Sequence, residues 1–170
     1  ALVHLDAHLD TYDIENGDTL THGTPFKIAV DEGLIDTAHS IQVGVRGIFS
    51  TDAIRVSRDM GFEVIAAGEL REEGLDRVGA RINRRVGDRK AFLTFDIDFV
   101  DPAYAPGTGT IEVGGVTSFE ALYLLRQTKD IDYVACDVVE VLPAFDPTQI
   151  TAYMAGCVAH EFIAMMAYRK

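Results

Sequence analysis

The sequence predicts an α/β fold built on a mainly parallel sheet. Five apolar, β-rich runs alternate with longer segments of helical character from one end of the chain to the other. The runs span residues 2–6, 40–45, 63–67, 91–96 and 133–138. Strands that alternate with helices are typical of βαβ units, which place successive strands parallel in one sheet. Neither a repeat nor a linker interrupts the pattern, so residues 1–170 are predicted to form a single domain.

Two of the helices have recognisable start signals. Thr117 is followed three residues later by Glu120, which is the spacing of a capping box, and this helix is predicted to extend to residue 127. Asp146 is followed by Pro147 and, at the third position, by Gln149. The last helix is therefore predicted to begin there and to run to the end of the chain.

The composition is that of an ordinary globular protein. Of the 170 residues, 48% are hydrophobic and 25% are charged, which is enough apolar material for a sizeable core. The net charge of −12 and the absence of a basic patch argue against nucleic-acid binding. An acidic balance suits metal ions or a cationic substrate, but it also simply keeps a protein soluble.

No stretch of the sequence is expected to span a membrane. The first ten residues alternate and carry charge, so they do not form the apolar centre of a secretory signal. Cys136 and Cys157 lie in apolar stretches and outside any CxxC pair. Both are predicted to be small buried residues in a reducing compartment, and a cytoplasmic location is expected.

Acidic residues follow two of the predicted strands, at the end where ligands bind in open parallel sheets. Asp6, His8 and Asp10 close the first run, and Asp96 and Asp98 close the fourth. Alternation along an extended backbone would place the members of each group on one side. Carboxylates held this close repel one another and are costly to bury unpaired, whereas a bound divalent cation removes both penalties.

Two such groups on strands that could be neighbours suggest two metal ions rather than one. Oxygen donors dominate, imidazole is the minority and thiolate is absent, which favours Mn²⁺ or Mg²⁺ over a structural zinc. A carboxylate that bridges two ions about 3.5–4 Å apart is the usual arrangement in two-metal hydrolases. A pair of solvated acidic loops is the alternative interpretation.

Four motifs resemble those of the ureohydrolase family, which contains the arginases and agmatinases. They are HLDAHLDTYD at 4–13, LTHGTPF at 20–26, TFDIDFVDPAYAPGTGT at 94–110 and DVVEVLPAFD at 137–146. The stretches DTYD, THGTPF, EVGGVTSFEALYLLR and ITAYMAG are more similar to the agmatinase branch than to true arginases. The resemblance covers essentially the whole chain and implies a three-layer α/β/α fold.

The resemblance also implies a ligand set for two Mn²⁺ ions per subunit. Asp6 and Asp96 would bridge the ions, and His8 and Asp98 would bind one of them. Asp10 would bind the other ion and hold the bridging hydroxide.

Three further residues have roles by the same resemblance. His22 would be a mobile histidine that relays protons, and Glu140 would pair with the substrate guanidinium beside the metals. Thr110 would lie in the active-site loop. The alternative interpretations are a plain loop histidine for His22 and a solvated loop carboxylate for Glu140. Residues predicted to support the ligands or their loops, rather than to bind metal, are His4, Asp13 and Asp101.

One family feature lies outside these residues. The family's first metal ligand is a histidine in an upstream glycine-rich motif, which these 170 residues do not contain. The chain is therefore expected to correspond to the C-terminal portion of the family domain, without its N-terminal strands. The ion bound by Asp10 would lack one ligand within this sequence.

By this resemblance the expected reaction is hydrolysis of a small cationic guanidino compound to urea and an amine. Agmatine, which would give putrescine for polyamine biosynthesis, is the expected substrate. A guanidino acid such as 4-guanidinobutyrate is the alternative, and arginine is disfavoured. The competing hypothesis is that the protein is a catalytically inactive homologue with a binding or regulatory role. Family members usually form trimers or hexamers, so a homo-oligomer without nucleic-acid or membrane partners is expected.

Overall fold

Five strands of the described residues form one parallel sheet, as the sequence predicts. The computed structural model describes residues 1–12, 20–48 and 51–168. In chain order the strands are β1 (Leu2–Leu5), β2 (Ile41–Val45), β3 (Glu63–Ala66), β4 (Lys90–Asp96) and β5 (Asp132–Val139). They lie in the order β3-β2-β1-β4-β5, and every neighbouring pair is parallel. Each observed strand matches a predicted run to within one residue at either end.

Helices cover both faces of the sheet, which confirms the three-layer arrangement. They are α1 (Pro25–Asp31), α2 (Thr51–Asp59), α3 (Ala67–Glu73), α4 (Leu75–Val86), α5 (Ser118–Gln127) and α6 (Ile150–Tyr168). Successive side chains along a strand point to opposite faces. Leu2 accordingly belongs to an apolar cluster with residues of α1 and α2, whereas Val3 belongs to a larger cluster with residues of α3 to α6. The larger cluster is the main core.

The capping box at the start of α5 is confirmed. Thr117 Oγ1 accepts a hydrogen bond from the backbone N of Glu120 at 3.2 Å, and Glu120 Oε2 accepts one from the backbone N of Thr117 at 2.7 Å. Each side chain satisfies a donor that helix geometry leaves unpaired. The capping box therefore fixes where α5 begins.

We expect Thr117→Ala to lower the free energy of unfolding by about 1 kcal/mol, because the backbone N of Glu120 loses its acceptor. Urea denaturation followed by circular dichroism measures the change. Ser118→Ala, one residue inside the helix, is the matched control and should not lower stability, because alanine is the better helix former. Equal losses in the two variants would contradict the capping role.

The last helix starts later than predicted. α6 begins at Ile150, because Gln149 has a left-handed backbone with φ of 59° that cannot be part of a right-handed helix. Asp146 still caps the helix from outside. Its carboxylate accepts hydrogen bonds from the backbone N of the second and third helical residues, at 3.2 and 2.9 Å.

In the described part of the chain, α6 is also the one helix that is long and apolar enough to cross a membrane, by length and composition alone. This departs from the expectation that no stretch is so apolar. One such helix is weak evidence, because a helix packed on a protein core meets the same criteria. The inner face of α6 does contribute four buried residues to the main core: Met154, Val158, Phe162 and Met165.

Strand β5 forms one edge of the sheet within the described residues, and it is only partly covered. Val134 is 51% exposed. Cys136 and Cys157 are free thiols, and both are only partly buried, whereas the sequence predicted them to be buried. Cys136 lies on this edge strand, and Cys157 lines a surface groove between α5 and α6. Partial burial still raises the pKa of Cys136 to about 12, so its thiol stays protonated and unreactive near neutral pH.

Candidate metal centre and active site

The two acidic groups meet because their strands are neighbours. β1 pairs with β4 with Leu5 opposite Phe95, so Asp6 and Asp96 come next to each other at the carboxyl end of the sheet. The sequence analysis assumed an extended backbone for residues 6–10. The chain instead bends directly after Leu5, so these residues do not continue the strand. The bend, rather than alternation, gathers the first group.

One set of candidate ligands is formed by Asp6, His8 and Asp98. His8 Nδ1 lies 3.3 Å from Asp6 Oδ1 and 3.0 Å from Asp98 Oδ2. Ligands about 2.1 Å from an octahedrally coordinated ion are about 3 Å apart along each edge, so these separations suit such an ion. The three groups therefore fit a common cation.

Backbone and hydroxyl donors hold Asp98 in place. Asp98 lies in a short 3-10 helix, Ile97–Phe99, whose start is capped by Asp96: Oδ1 of Asp96 accepts from the backbone N of Asp98 at 2.8 Å. Asp98 Oδ1 accepts from the backbone N of Ala7 at 3.0 Å, which ties the two acidic groups together. The hydroxyl of Thr110 donates to Asp98 Oδ2 at 3.3 Å, so Thr110 contacts a candidate ligand.

Asp10 lies in a second possible ligand group with Asp6 and His4. Its backbone is left-handed, with φ of 52°, and Glu140 is left-handed as well, with φ of 60°. Non-glycine residues rarely adopt this conformation, and such strain concentrates at functional sites. Gln149 is the other non-glycine residue with positive φ among those described, so two of the three lie in this site.

The charges of the site call for a cation. Burial raises the pKa of Asp96, and the neighbouring charges of Asp6 and Asp98 raise it further. Burial and the charge of Asp6 raise the pKa of Asp10 as well. Hydrogen bonds with Asp6 and Asp98 raise the pKa of His8 to about 11. Each shift favours adding a proton among the carboxylates, and a hard divalent cation bound by oxygen donors would take the place of those protons.

The candidate ligands open into a pocket of about 200 Å³. The residues that line it are His8, Asp10, Tyr12, His22, Gly23, Asp96, Thr110 and Glu140. Six of the eight residues predicted for the site are in this lining, and the other two, Asp6 and Asp98, contact His8 directly. The structure thus brings all eight together.

Tyr12 and Gly23 line the pocket but were not predicted as site residues. The backbone N of Tyr12 donates to the carbonyl of Gly23 at 3.0 Å, which joins the segment after Asp10 to the segment around His22. The sequence does contain a signal for them, because Gly23 directly follows His22 and Tyr12 lies two positions after Asp10.

His22 and Glu140 form a pair at the mouth of the pocket. His22 Nδ1 lies 2.7 Å from Glu140 Oε1, although the two residues are 118 positions apart in the chain. The side chain of His22 is 89% exposed and that of Glu140 is 32% exposed. The hydrogen bond with Glu140, followed by its negative charge, raises the pKa of His22.

Arg46, which the sequence analysis did not single out, joins three segments beneath the site. Its guanidinium is buried at the end of β2 and donates only to backbone carbonyls among the described contacts. The acceptors are those of Gly44, Asp98, Phe99, Glu112 and Val113. The shortest contact, 2.5 Å, is to Asp98, so Arg46 fixes the backbone of a candidate ligand.

We expect Arg46→Met to lower the free energy of unfolding by about 3 kcal/mol or more, because buried carbonyls are left without donors. Urea denaturation of the metal-free protein measures this loss. Arg46→Lys should lose less, because an ammonium group restores some of the donors but not the planar fork. A loss below about 1 kcal/mol in Arg46→Met would contradict this role.

The two predicted loop carboxylates have different outcomes. Asp101 does hold its loop, since its carboxylate accepts from the backbone N of Ala103, Gly114 and Gly115 at 2.9, 2.7 and 3.1 Å. Asp13 lies outside the described residues.

Relatives of known sequence point to one family. Residues 1–165 match the arginase family. An agmatinase from Enterobacter sp. (strain 638) is 48% identical over 170 residues, which are 100% of this chain and 53% of that protein. An agmatinase from Escherichia coli O7:K1 (strain IAI39 / ExPEC) is 48% identical with the same coverage. The chain thus spans about half the length of the curated relatives it matches.

Solved structures give the same result. A hypothetical agmatinase from Burkholderia thailandensis has a TM-score of 0.90 and 43% identity, covering 99% of this chain and 51% of that one. Proclavaminate amidino hydrolase from Streptomyces clavuligerus has a TM-score of 0.91 and 42% identity, covering 97% of this chain and 55% of that one. Together with the family match over residues 1–165, these likenesses establish that the chain belongs to the arginase family.

Proposed function

We propose that this chain carries most of the active site of a manganese-dependent ureohydrolase that cleaves agmatine to putrescine and urea. The observation that carries the proposal is the meeting of five candidate ligands from two strand ends beside a pocket lined by His22 and Glu140. The 48% identity to agmatinases supports the substrate.

The candidate ligands have distinct places in this proposal. Asp6 and Asp96, at the ends of adjacent strands, would each be shared between two Mn²⁺ ions. His8 and Asp98 would be further ligands of one ion, and Asp10 would be a ligand of the other. When bound, two such ions make a hydroxide nucleophile available near neutral pH, which a guanidinium requires because its delocalised charge makes it a poor electrophile.

Glu140 holds the substrate in this proposal. A guanidinium presents parallel N–H donors that match the two oxygens of a carboxylate. The left-handed backbone of Glu140 places its carboxylate at the pocket rather than along the direction of β5. A guanidinium paired there is oriented with its carbon toward the candidate ligands, which lowers the entropy cost of reaction.

Proton transfer falls to His22 and Asp10. The exposed ring of His22 exchanges protons with solvent, and its hydrogen bond with Glu140 holds Nδ1 beside the pocket. Asp10 lines the same pocket, and it would take up the proton of the attacking hydroxide and pass it to the departing amine.

The charge of the pocket favours agmatine over a guanidino acid. Among the described lining residues there is no lysine or arginine, so the carboxylate of 4-guanidinobutyrate or arginine finds no cationic side chain there. The second cationic group of agmatine, in contrast, suits an acidic pocket in a chain with a net charge of −12.

We expect the pKa of His22 to fall in Glu140→Gln, because the variant loses the negative charge and the accepting carboxylate that raise it. In the wild type His22 therefore keeps its proton to higher pH than a free histidine, and in the variant the proton is lost at lower pH. An NMR titration of the ring protons measures the shift. Glu32→Gln, on the exposed end of α1, is the control, and an unchanged His22 pKa in Glu140→Gln would contradict the contact.

The proposed activity is tested by loading the longest natural form of this protein with Mn²⁺ and measuring urea release. Agmatine, 4-guanidinobutyrate and arginine are compared side by side, with Asp98→Ala as control. Urea from agmatine alone, lost in the variant, supports the proposal. A protein that binds two ions but releases no urea would point to another guanidino substrate. A protein that binds no ions and releases no urea would favour an inactive homologue.

A further inference from the structure

A buried chain of hydrogen bonds leads from helix α2 to Asp6. Ser57, Gln42 and His4 are each at most 1% exposed. Ser57 Oγ donates to Gln42 Oε1. Gln42 Nε2 lies 2.5 Å from the carbonyl of Leu9 and 3.1 Å from His4 Nδ1. His4 Nε2 lies 2.6 Å from Asp6 Oδ2.

The direction of each hydrogen bond follows from what each group can do. The carbonyl of Leu9 can only accept, so the atom of Gln42 that faces it must be the amide nitrogen. Rotating the amide by half a turn would place its oxygen against the carbonyl oxygen of Leu9, so Leu9 sets the orientation of the amide. In this orientation Oε1 accepts from the hydroxyl of Ser57. The amide nitrogen therefore donates to His4 Nδ1, which must be without a proton.

The remaining ring nitrogen must then carry the hydrogen. Nε2–H of His4 then donates to Asp6 Oδ2. The ring plane is held by Phe26 of α1, whose centroid lies 4.6 Å from that of His4. Asp6 Oδ1 accepts in turn from the backbone N of His8 at 2.5 Å. Each oxygen of the Asp6 carboxylate is thus held by a hydrogen bond.

We propose that Gln42 and Ser57 are positioning residues, which hold His4 in the tautomer that donates to Asp6 and so orient this carboxylate for metal binding. The part that concerns metal rests on the proposed function, but the tautomer does not. The expected effect on metal affinity comes from orientation. A carboxylate whose plane is already fixed loses less conformational entropy when it binds an ion. Partners one step removed from a metal typically change its affinity by about 10- to 100-fold.

The tautomer is tested by long-range ¹⁵N–¹H correlation spectra of the imidazole nitrogens, without added metal. The expected result for the wild type is a protonated Nε2 and a bare Nδ1 at His4. In Gln42→Glu the acceptor carboxylate should bring a proton to Nδ1. A wild-type spectrum with Nδ1 protonated would overturn the proposal, whatever the protein does with metal or substrate.

Metal positioning is tested by titrating Mn²⁺ and following the signal of the free ion by electron paramagnetic resonance. We expect His4→Leu to weaken binding by about 10- to 100-fold and Ser57→Ala by up to about 10-fold. His4→Gln should recover part of the loss, because its amide offers a donor in place of Nε2–H. All titrations are made where circular dichroism shows each variant to be folded.

Thr128→Val is the matched control for Ser57→Ala. The Thr128 hydroxyl is buried, donates to the carbonyl of Leu125 at 2.8 Å and accepts from Tyr133 at 3.0 Å, with no connection to Asp6. It should lower thermal stability without changing Mn²⁺ affinity. Equal affinities in the wild type, Ser57→Ala and His4→Leu would overturn the positioning role. A wild type that binds no Mn²⁺ would instead contradict the proposed function, and the spectra would still decide the tautomer.

Discussion

Asp6→Ala is expected to reduce urea release by more than about 100-fold. Changes to groups one step removed from a metal cost about 10- to 100-fold, and Asp6 is proposed to bind both ions directly. It is also the acceptor of hydrogen bonds from His4 and from the backbone of His8, so its loss frees two further groups of the site. The measurement is steady-state urea release from agmatine, together with the number of Mn²⁺ ions bound per chain.

The control for this variant removes an equally charged side chain that is remote from the site. Asp59→Ala takes away an exposed carboxylate of α2 that pairs only with Arg55 among the described ion pairs. It should retain wild-type activity and metal content. If Asp6→Ala kept two ions and more than about a tenth of the activity, Asp6 would not be a bridging ligand.

Gly44→Ala is expected to lower the free energy of unfolding by about 3 to 5 kcal/mol, from backbone strain and overpacking together. Gly44 has φ of 107° at the irregularity of β2, where pairing with β3 shifts register. A methyl group there would lie 2.4 Å from the ring of Phe99 and 2.8 Å from the backbone carbonyl of Asp6. Because the second neighbour is backbone, relief of the clash must move a candidate ligand.

Gly87→Ala separates strain from the clash. Gly87 also has positive φ, at 57°, but a methyl group there meets no atom within 4 Å. It should lose only the strain, about 1 to 3 kcal/mol. Urea denaturation of the metal-free proteins measures both variants, and Mn²⁺ titration should show weaker binding in Gly44→Ala alone. Similar losses in the two variants would mean that the packing of Gly44 against Asp6 is unimportant.

The strands and their acidic ends could be predicted because they depend on local pattern. An apolar run such as that of β4 has few ways to be buried other than in a sheet, and Asp96 is its last residue. The geometry of the first group could not be predicted in the same way. Alternation assumes an extended backbone, whereas the bend after Leu5 and the positive φ of Asp10 arise from tertiary contacts.

The residues missed by the sequence analysis are polar side chains buried inside the fold. Arg46 and Gln42 carry no motif, and each sits in or beside an apolar strand where a polar residue is usually read as facing solvent. Their importance comes from long-range hydrogen bonds: from Arg46 to the carbonyls of residues 112 and 113, and from Gln42 to Leu9. The start of α6 was misplaced for a similar reason, because the left-handed turn at Gln149 is invisible to a helix-start pattern.

The open side of β5 bears on how the isolated chain should be handled. Along that side, within the described residues, no strand accepts or donates the ladder hydrogen bonds, and Val134 presents an apolar surface next to it. An uncovered strand edge is a template onto which another chain can add. Light scattering of the purified 170-residue chain should therefore rise steeply with protein concentration, and Val134→Lys should suppress that rise by adding charge to the edge.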